Sequence, residues 1–171
     1  MRTVFFDVDT QIDFLFPAGA LYVPGAERII PNLARLNQFA ARNRIPLIST
    51  MDAHAENDPE FRTWPAHCVA GTVGQSKPQS LLVQQHIVEK QALDCFSNPH
   101  LPALLDSLHA ERYVVYGVVT EICVLHAVTG LLKTGARVEL VCDAVMHLDE
   151  AAAERMMSGL NLTTTGEVCR A

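Results

Sequence analysis

Residues 113–143 read YVVYGVVTEICVLHAVTGLLKTGARVELVCD and contain a strand, a helix and a second strand in succession. The apolar, β-branched run Tyr113–Val119 predicts a central strand that is covered on both faces. Thr120 predicts the cap of the following helix, and Gly135 is placed to end it. Arg137–Cys142 predicts the next strand. Two strands that a helix connects in this way lie parallel in one sheet.

The rest of the chain repeats this alternation of strands and helices. Further strands are predicted at Thr3–Val8, Ile45–Thr50, His86–Glu89 and Leu160–Thr165. Further helices are predicted at Glu27–Arg42, at Leu101–Leu108 behind an Asn98-Pro99 cap, and from Asp149 to about Gly159. The pattern predicts an α/β protein with a single domain over residues 1–171. Its expected architecture is a three-layer, Rossmann-like fold, in which helices cover both faces of a mostly parallel sheet of about six strands.

The composition argues against two classes of partner. Thirteen lysine and arginine residues against nineteen acidic residues give a net charge of −6 without any basic cluster, so nucleic acid is not expected as a partner. Apolar runs fall far short of the roughly 18 residues that span a membrane. The opening apolar run stops at Asp7, too early for a signal-peptide core. The five cysteines form no C-x-x-C pair, which is typical of reduced thiols and predicts a cytoplasmic protein.

Chemically active side chains follow four of the predicted strands. In an open parallel sheet, ligands bind beyond the carboxyl ends of the strands, where these side chains are expected to meet. Each of them alone is an ordinary loop residue, but together they indicate a functional site. They are Asp7, Asp9 and Asp13 after the first strand, Asp52 and His54 after the second, Lys90 after the third, and Cys123 after the Tyr113–Val119 strand.

Cys123 is the candidate nucleophile because it falls in the first turn of the predicted helix. There the free N–H groups and the helix dipole favour negative charge, which lowers a thiol pKa and can hold an oxyanion. The alternative is that this cysteine is simply a small buried apolar residue. Cys68, beside His67, is the rival nucleophile. An aspartate from the first strand can accept the thiol proton if burial raises its pKa, and Lys90 can balance that charge.

A metal site is the second candidate feature. Asp52 and His54 are two residues apart in an extended segment, so they point to the same side and can share one ion. His67 follows after a short loop and is the candidate third ligand. Carboxylate and imidazole ligands suit zinc, iron or manganese. The long, weakly patterned segment 52–80 is typical of a functional loop, and its Trp64 can offer a face to a flat ring or plug the loop.

Several of these segments resemble one known family. Val8–Phe14 is similar to the D-x-Q-x-D-F opening of the isochorismatase-like cysteine hydrolases, and Gly117–Val124 to their G-V-x-T-[DE]-x-C-V nucleophile turn. Thr50–His54 and Trp64–Val69 resemble the metal and ring-stacking segments of the nicotinamidase branch. Cys142–Val145 matches a recurrent D-A-[VT] segment. The resemblance covers nearly the whole chain in the expected order.

The resemblance implies a role for each matching residue. The catalytic triad would be Asp9, Lys90 and Cys123. The metal ligands would be Asp52, His54 and His67. Phe14 and Trp64 would bind the substrate, with Trp64 stacking on its ring. The N–H groups of Val119 and Cys123 would form the oxyanion hole, behind a cis peptide bond that precedes Val119.

The implied activity is hydrolysis of a small amide, nicotinamide to nicotinic acid and ammonia, through a cysteine thioester. Such an enzyme would serve NAD salvage and form a homo-oligomer. It would carry a divalent metal ion, with zinc as the first choice and iron or manganese as alternatives. The loops after His54 and Lys90 depart from the family pattern, so another C–N substrate, an N-carbamoyl or ureido compound, stays open as the alternative. A catalytically silent member that binds a ligand is the third hypothesis.

Two departures from the family bear on the site. Asn57-Asp58-Pro59 stands where a further metal-binding histidine is usual, which leaves the fourth ligand open. Asp7 stands where the family has an apolar residue, and Phe5–Thr10 is therefore also similar to the D-x-D-x-T motif of haloacid-dehalogenase-type phosphatases. That motif would make Asp7 a nucleophile, but its usual Gly-Thr is replaced and no late acidic pair accompanies it.

Overall fold

The computed structural model describes residues 1–170 and contains a six-stranded, all-parallel sheet. The strands are β1 Thr3–Val8, β2 Leu47–Asp52, β3 His86–Lys90, β4 Arg112–Val118, β5 Arg137–Met146 and β6 Asn161–Thr163. They are arranged in the order β3-β2-β1-β4-β5-β6, with every neighbouring pair parallel. This confirms the predicted α/β fold class.

Six α-helices connect or flank these strands. They are α1 Ile12–Leu15, α2 Ile30–Arg42, α3 Leu101–Leu108, α4 Leu125–Leu132, α5 Glu150–Met157 and α6 Thr165–Val168. Short 3-10 turns lie at Ala26–Ile29, Pro59–Arg62, Gln79–Leu81 and Cys95–Ser97, and a π-helical turn lies at Thr120–Val124. Among residues 1–170, no helix combines the length and the apolar content that crossing a bilayer requires.

Apolar side chains cover both faces of the sheet, as the three-layer prediction requires. Successive residues of a strand point to opposite faces, and in β1 Phe5 joins one core while Phe6 joins the other. The Phe5 core contains Leu33 and Leu36 of α2. The Phe6 core contains Leu131 of α4 together with side chains of α3. Both faces are therefore buried, and the edge at the carboxyl ends of the strands is left for function.

The predicted start of the helix after β4 is wrong. The Thr120 hydroxyl does not cap a helix; it donates to the carbonyl oxygen of Met146 at 2.9 Å. The chain then makes the π-helical turn before α4 begins at Leu125. Cys123 therefore lies inside a widened turn rather than in the first turn of a regular α-helix.

The predicted cap of α3 is also wrong. The helix begins at Leu101, with His100 at the cap position and Pro102 in the first turn. The side chain of Asn98 accepts a hydrogen bond from the His100 N–H, so it closes the bend before the helix instead of capping it. The remaining predicted elements are present with bounds shifted by a few residues, and β5 continues to Met146, beyond the predicted end at Cys142.

The close approach of β4 to β1 depends on a glycine. Gly117 has a φ of 122°, and a Cβ at this position would overlap the carbonyl oxygen of Val8. Only glycine adopts this backbone conformation at so short a distance. The end of β4 and the turn that carries Cys123 can therefore lie beside the end of β1, where Asp9 is found.

Candidate active site

Asp9 directly follows β1 and is completely buried. Its φ of 48° is the left-handed conformation, which is uncommon for a residue with a side chain. The backbone N–H of Asp9 donates to the Thr50 carbonyl at 3.2 Å, and the Thr50 hydroxyl donates to Asp9 Oδ1 at 2.6 Å. Neighbouring β2 therefore fixes the direction of the carboxylate.

Lys90 ends β3 and joins the predicted catalytic residues. Its Nζ lies 2.9 Å from Oδ2 of Asp9 and 3.9 Å from Sγ of Cys123. The same ammonium group forms an ion pair with Oδ1 of Asp52. All four side chains are buried. The structure thus brings the residues of the predicted triad together and connects them to a predicted metal ligand.

The site controls protonation through burial and opposite charges. Burial raises the pKa of the Asp9 carboxyl, and the charge of Lys90 opposes this rise. Burial also raises the pKa of the Cys123 thiol well above its usual value, again against Lys90. Burial lowers the pKa of Lys90, but the charges of Asp9, Cys123 and Asp52 outweigh it and hold that pKa well above its ordinary value. Lys90 stays charged, and the neutral thiol is favoured, contrary to the lowered pKa that the helix-dipole argument predicts.

The three predicted metal ligands also meet. Oδ2 of Asp52 lies 3.8 Å from Nε2 of His54 and 3.8 Å from Nε2 of His67. A backbone bridge between His54 and Val69 brings the segment that carries His67 beside the end of β2. One ligand atom from each of the three residues lies within 4.8 Å of the other two.

The second ring nitrogens of both histidines are held by the protein. Nδ1 of His54 lies 3.0 Å from Oδ2 of Asp58, and Nδ1 of His67 donates to the Pro65 carbonyl at 2.7 Å. Nε2 of His54 is buried and has no hydrogen-bond partner among the described residues. Supported imidazoles whose free nitrogens converge with a carboxylate are typical of a metal site, so this group fits a divalent ion.

Glu60 is a residue that the sequence analysis missed. Its Oε1 lies 3.9 Å from Nε2 of His67, and burial raises the pKa of its carboxyl. The 3-10 turn Pro59–Arg62 places it there, capped by the Asp58 side chain, which accepts from the Glu60 N–H. Asp58 thus supports His54, while Glu60 offers a further oxygen beside the metal ligands. The signal for Glu60 in the sequence is that an acidic residue directly follows Asp58-Pro59, close to the predicted metal ligands.

A cavity opens onto this group and onto Cys123. Its empty volume is about 390 Å³, which includes open solvent at the mouth. Most of the lining is apolar, and the described residues contribute no lysine or arginine to it. The lining consists of Phe14, Leu21, Val23, Asp52, Glu60, Trp64, His67, Leu93, Val118, Val119, Ile122, Cys123 and Leu148. The predicted substrate residues Phe14 and Trp64 and the predicted oxyanion residue Val119 are therefore in one place with the thiol.

The peptide bond between Val118 and Val119 is cis, as the family resemblance implies. This bond joins the end of β4 to the turn that carries Cys123. Both Val119 and Cys123 are almost completely buried at the wall of the cavity.

The rival nucleophile Cys68 lies outside the cavity lining. It is fully buried, and burial raises the pKa of its thiol. Its backbone N–H donates to Oδ2 of Asp13 at 2.7 Å, so Asp13 anchors this loop. Burial likewise raises the pKa of Cys95 to about 12, and Cys142 is exposed away from the cavity. The geometry favours Cys123 over the other thiols.

Comparisons with known proteins agree with the fold. The sequence model of the isochorismatase domain matches residues 3–171. Streptothricin hydrolase from Streptomyces noursei is 31% identical over 85% of this chain and 50% of its own length. Nicotinamidase from Saccharomyces cerevisiae is 24% identical over 80% of this chain and 84% of its own. The crystal structure of Pyrococcus horikoshii pyrazinamidase in complex with zinc superposes with a TM-score of 0.89 at 30% identity, covering 96% of this chain and 99% of that one.

Proposed function

The chain belongs to the isochorismatase family, and from that premise we propose that it is a cysteine-dependent amidohydrolase, which converts nicotinamide or a similar small ring amide to the acid and ammonia. The observation that carries the proposal is the position of the Lys90 ammonium group between the Asp9 carboxylate and the Cys123 thiol. A base and a balancing cation beside a nucleophile that lines a cavity are the components of covalent amide hydrolysis.

In the first half-reaction, the Asp9 carboxylate accepts the proton of the Cys123 thiol as sulfur attacks the amide carbonyl carbon. The raised pKa of Asp9 makes this carboxylate a stronger base than an exposed aspartate. Lys90 stabilises the negative charge that moves from oxygen to sulfur. The N–H groups of Val119 and Cys123 would donate to the oxyanion that forms on the substrate.

To complete this half-reaction, the protonated Asp9 returns its proton to the departing nitrogen. The C–N bond breaks, ammonia leaves, and the acyl group remains on Cys123 as a thioester. In the second half-reaction, water attacks the thioester carbonyl while Asp9 accepts a proton from it. The C–S bond breaks, the sulfur regains the proton from Asp9, and the carboxylic acid is released.

A divalent metal ion would be held by Asp52, His54 and His67. Zinc is the proposed ion, and iron and manganese are the alternatives. Glu60 is positioned to add a fourth protein oxygen. When bound, such an ion supplies a Lewis acid that orients a ring nitrogen of the substrate. The protein's own part is to present these buried ligands in one place, with Asp52 and His67 at the wall of the cavity.

The cavity supports an uncharged, flat substrate. Trp64 and Phe14 can flank a ring, and no lysine or arginine of the described residues lines the cavity to bind a free carboxylate. An N-carbamoyl or ureido acid carries such a carboxylate, so a neutral ring amide fits this lining better. The relative at 31% identity is a streptothricin hydrolase, which keeps a different C–N substrate as the second candidate.

Ammonia release from purified, metal-loaded protein tests the proposal. Nicotinamide, pyrazinamide and a set of N-carbamoyl and ureido compounds would be compared, and we expect the ring amides to react fastest. Cys123→Ala should lower the rate by a factor of about 10⁴ or more, judged from other nucleophile deletions. The exposed Cys142→Ala variant is the matched control and should keep the wild-type rate.

Each outcome of this experiment is informative. A nicotinamide rate equal to the blank, with turnover of a ureido compound, would replace the first substrate class by the second. Turnover that survives in Cys123→Ala would exclude the cysteine mechanism. A wild-type protein that releases no ammonia from any compound would support the silent, ligand-binding member. The cytoplasmic location, the homo-oligomer and the role in NAD salvage stay predictions from the sequence.

A further inference from the structure

A buried ion pair lies beneath the proposed active site, outside the cavity lining. Nζ of Lys77 is 3.3 Å from Oδ2 of Asp7, and both side chains have no exposed surface. The Ser49 hydroxyl also donates to Oδ2 of Asp7, at 2.8 Å. Asp7 is thus paired inside the protein, which rules out the role of an accessible phosphatase nucleophile. Neither Asp7 nor Lys77 takes part in the reaction steps above.

The pair converges on Thr10, the residue after the proposed base. The Thr10 hydroxyl donates to Oδ1 of Asp7 at 2.7 Å and accepts from Nζ of Lys77 at 2.9 Å. Its donor and its acceptor site are therefore both occupied by charged groups, which form stronger hydrogen bonds than neutral partners do. Asp9 precedes Thr10 in the uncommon left-handed conformation, which persists only where the surroundings fix it.

Lys77 also ties down the segment that carries His67. In that segment, the Gln75 carbonyl accepts a hydrogen bond from Nε2 of Gln11 at 2.8 Å. Oε1 of Gln11 accepts a hydrogen bond from the Asp52 N–H at 2.7 Å. Hydrogen bonds therefore join residues 9–13, the end of β2 and the loop that ends at residue 77. The Asp7–Lys77 pair and its bonds to Thr10 add a further connection between this loop and β1.

We propose that Asp7 and Lys77 are positioning residues, which hold Thr10 and so aim the Asp9 carboxylate at Cys123. This proposal rests on the proposed function in so far as Asp9 is the base. A buried ion pair is not needed for stability, because replacing both charges by apolar groups is often neutral or stabilising. What such a pair supplies here is one fixed arrangement of the backbone at Asp9.

Two sets of variants test the positioning role. The double variant Asp7→Val/Lys77→Met removes both charges and leaves neither unpaired. Thr10→Val removes only the hydroxyl at nearly constant shape, whereas Thr10→Ser restores it. Lys133→Met, at an exposed lysine, is the matched control for the loss of a positive charge.

The expected result is a selective loss in kcat. The double variant and Thr10→Val should each lose a factor of about 10 to 100 in kcat with little change in KM, because small misplacements of a reacting group have effects of this size. The kcat values of Thr10→Ser and Lys133→Met should stay within about twofold of the wild type, because both variants keep the hydroxyl at position 10 and the Asp7–Lys77 pair. A purely structural role would change the thermal midpoint without this split and without rescue by serine.

A second readout separates this proposal from the proposed function. This readout is the rate at which iodoacetamide alkylates Cys123, followed at one fixed pH by peptide mass spectrometry. The rate depends on the position of Asp9 but requires no substrate. We expect it to fall about tenfold in the same two variants and to recover in Thr10→Ser. If the wild type turns over no amide, the proposed function fails, and alkylation alone decides the positioning role. Folded variants with wild-type kcat and wild-type alkylation rates would overturn it, as would equal losses in Thr10→Val and Thr10→Ser.

Discussion

Nζ of Lys90 lies 2.9 Å from Oδ2 of Asp9, and the same ammonium group is paired with Asp52. One buried cation therefore balances the charge of the proposed base and of a proposed metal ligand. The catalytic group and the metal group share this contact, so a change in one should be felt in the other.

Replacing Lys90 by methionine should affect both stability and rate. Two buried carboxylates would lose their partner, which costs about 3–5 kcal/mol when one member of a buried pair is removed. The charge of Lys90 opposes the rise in the pKa of Asp9, so this pKa should rise further in Lys90→Met. The base form of Asp9 would then exist only at higher pH, and the acid limb of the kcat profile should move upward. Urea unfolding and the pH profile of ammonia release measure the two effects. Unchanged values of both would contradict the shared-cation arrangement.

Asp58 should control metal affinity without touching the metal. Its carboxylate lies 3.0 Å from Nδ1 of His54 and leaves Nε2 free to bind an ion. Loss of such a supporting carboxylate weakens metal binding by a factor of about 10 to 100. We expect this loss for zinc in Asp58→Asn, measured by competition with a chromophoric chelator. Asp106→Asn, at an exposed position of α3, is the control, and equal affinities of the two variants would show that His54 needs no such support.

Metal binding should depend on pH through His54. Burial lowers the pKa of this imidazole, but the nearby carboxylates of Asp52 and Asp58 outweigh burial and raise the pKa to about 9 in the metal-free protein. A metal ligand must be the neutral imidazole, so a proton and the ion compete below that pH. The apparent zinc affinity should rise by about tenfold per pH unit up to about pH 9 and then level off. Titrations between pH 6.5 and 9.5 check this, and an affinity that is flat across that range would be incompatible with a protonated His54.

The sequence predicts the sheet and most of the site because both depend on local patterns. The apolar run Thr3–Val8 ends in acids, and β1 has the same bounds. Since parallel strands end at the same edge, residues that follow separate strands, such as Asp9, Lys90 and Cys123, were expected to meet, and they do.

The features that the sequence did not predict depend on distant contacts. The Thr120 hydroxyl donates to the carbonyl oxygen of Met146, which lies 26 residues further along the chain. It therefore does not cap a helix, although the local sequence predicts that it would. Glu60 reaches His67 only through the path of the loop between them. Lys77 pairs with Asp7 across 70 residues of sequence, and a lysine in a loop gives no sign of burial. Partners of this kind are fixed by the tertiary fold.

Two glycine positions separate backbone strain from the close approach of strands. Gly117 and Gly135 both have a positive φ, 122° and 81°, so alanine is strained at either one. A Cβ at Gly135 meets nothing within 4 Å, whereas a Cβ at Gly117 would overlap the Val8 carbonyl next to Asp9. Gly135→Ala should cost about 1–2 kcal/mol in unfolding free energy. Gly117→Ala should cost at least about 3 kcal/mol, because steric overlap adds to the strain.

The same pair of variants also separates stability from catalysis. In Gly117→Ala, β4 must move away from β1, so Cys123 should lose its position relative to Asp9. We expect kcat to fall at least about 100-fold in the folded fraction of this variant, and to stay near the wild-type value in Gly135→Ala. Urea unfolding and ammonia release, measured on the same samples, give both quantities. Similar losses of stability in the two variants, together with a normal kcat for Gly117→Ala, would mean that the approach of β4 to β1 does not set the distance between the base and the thiol.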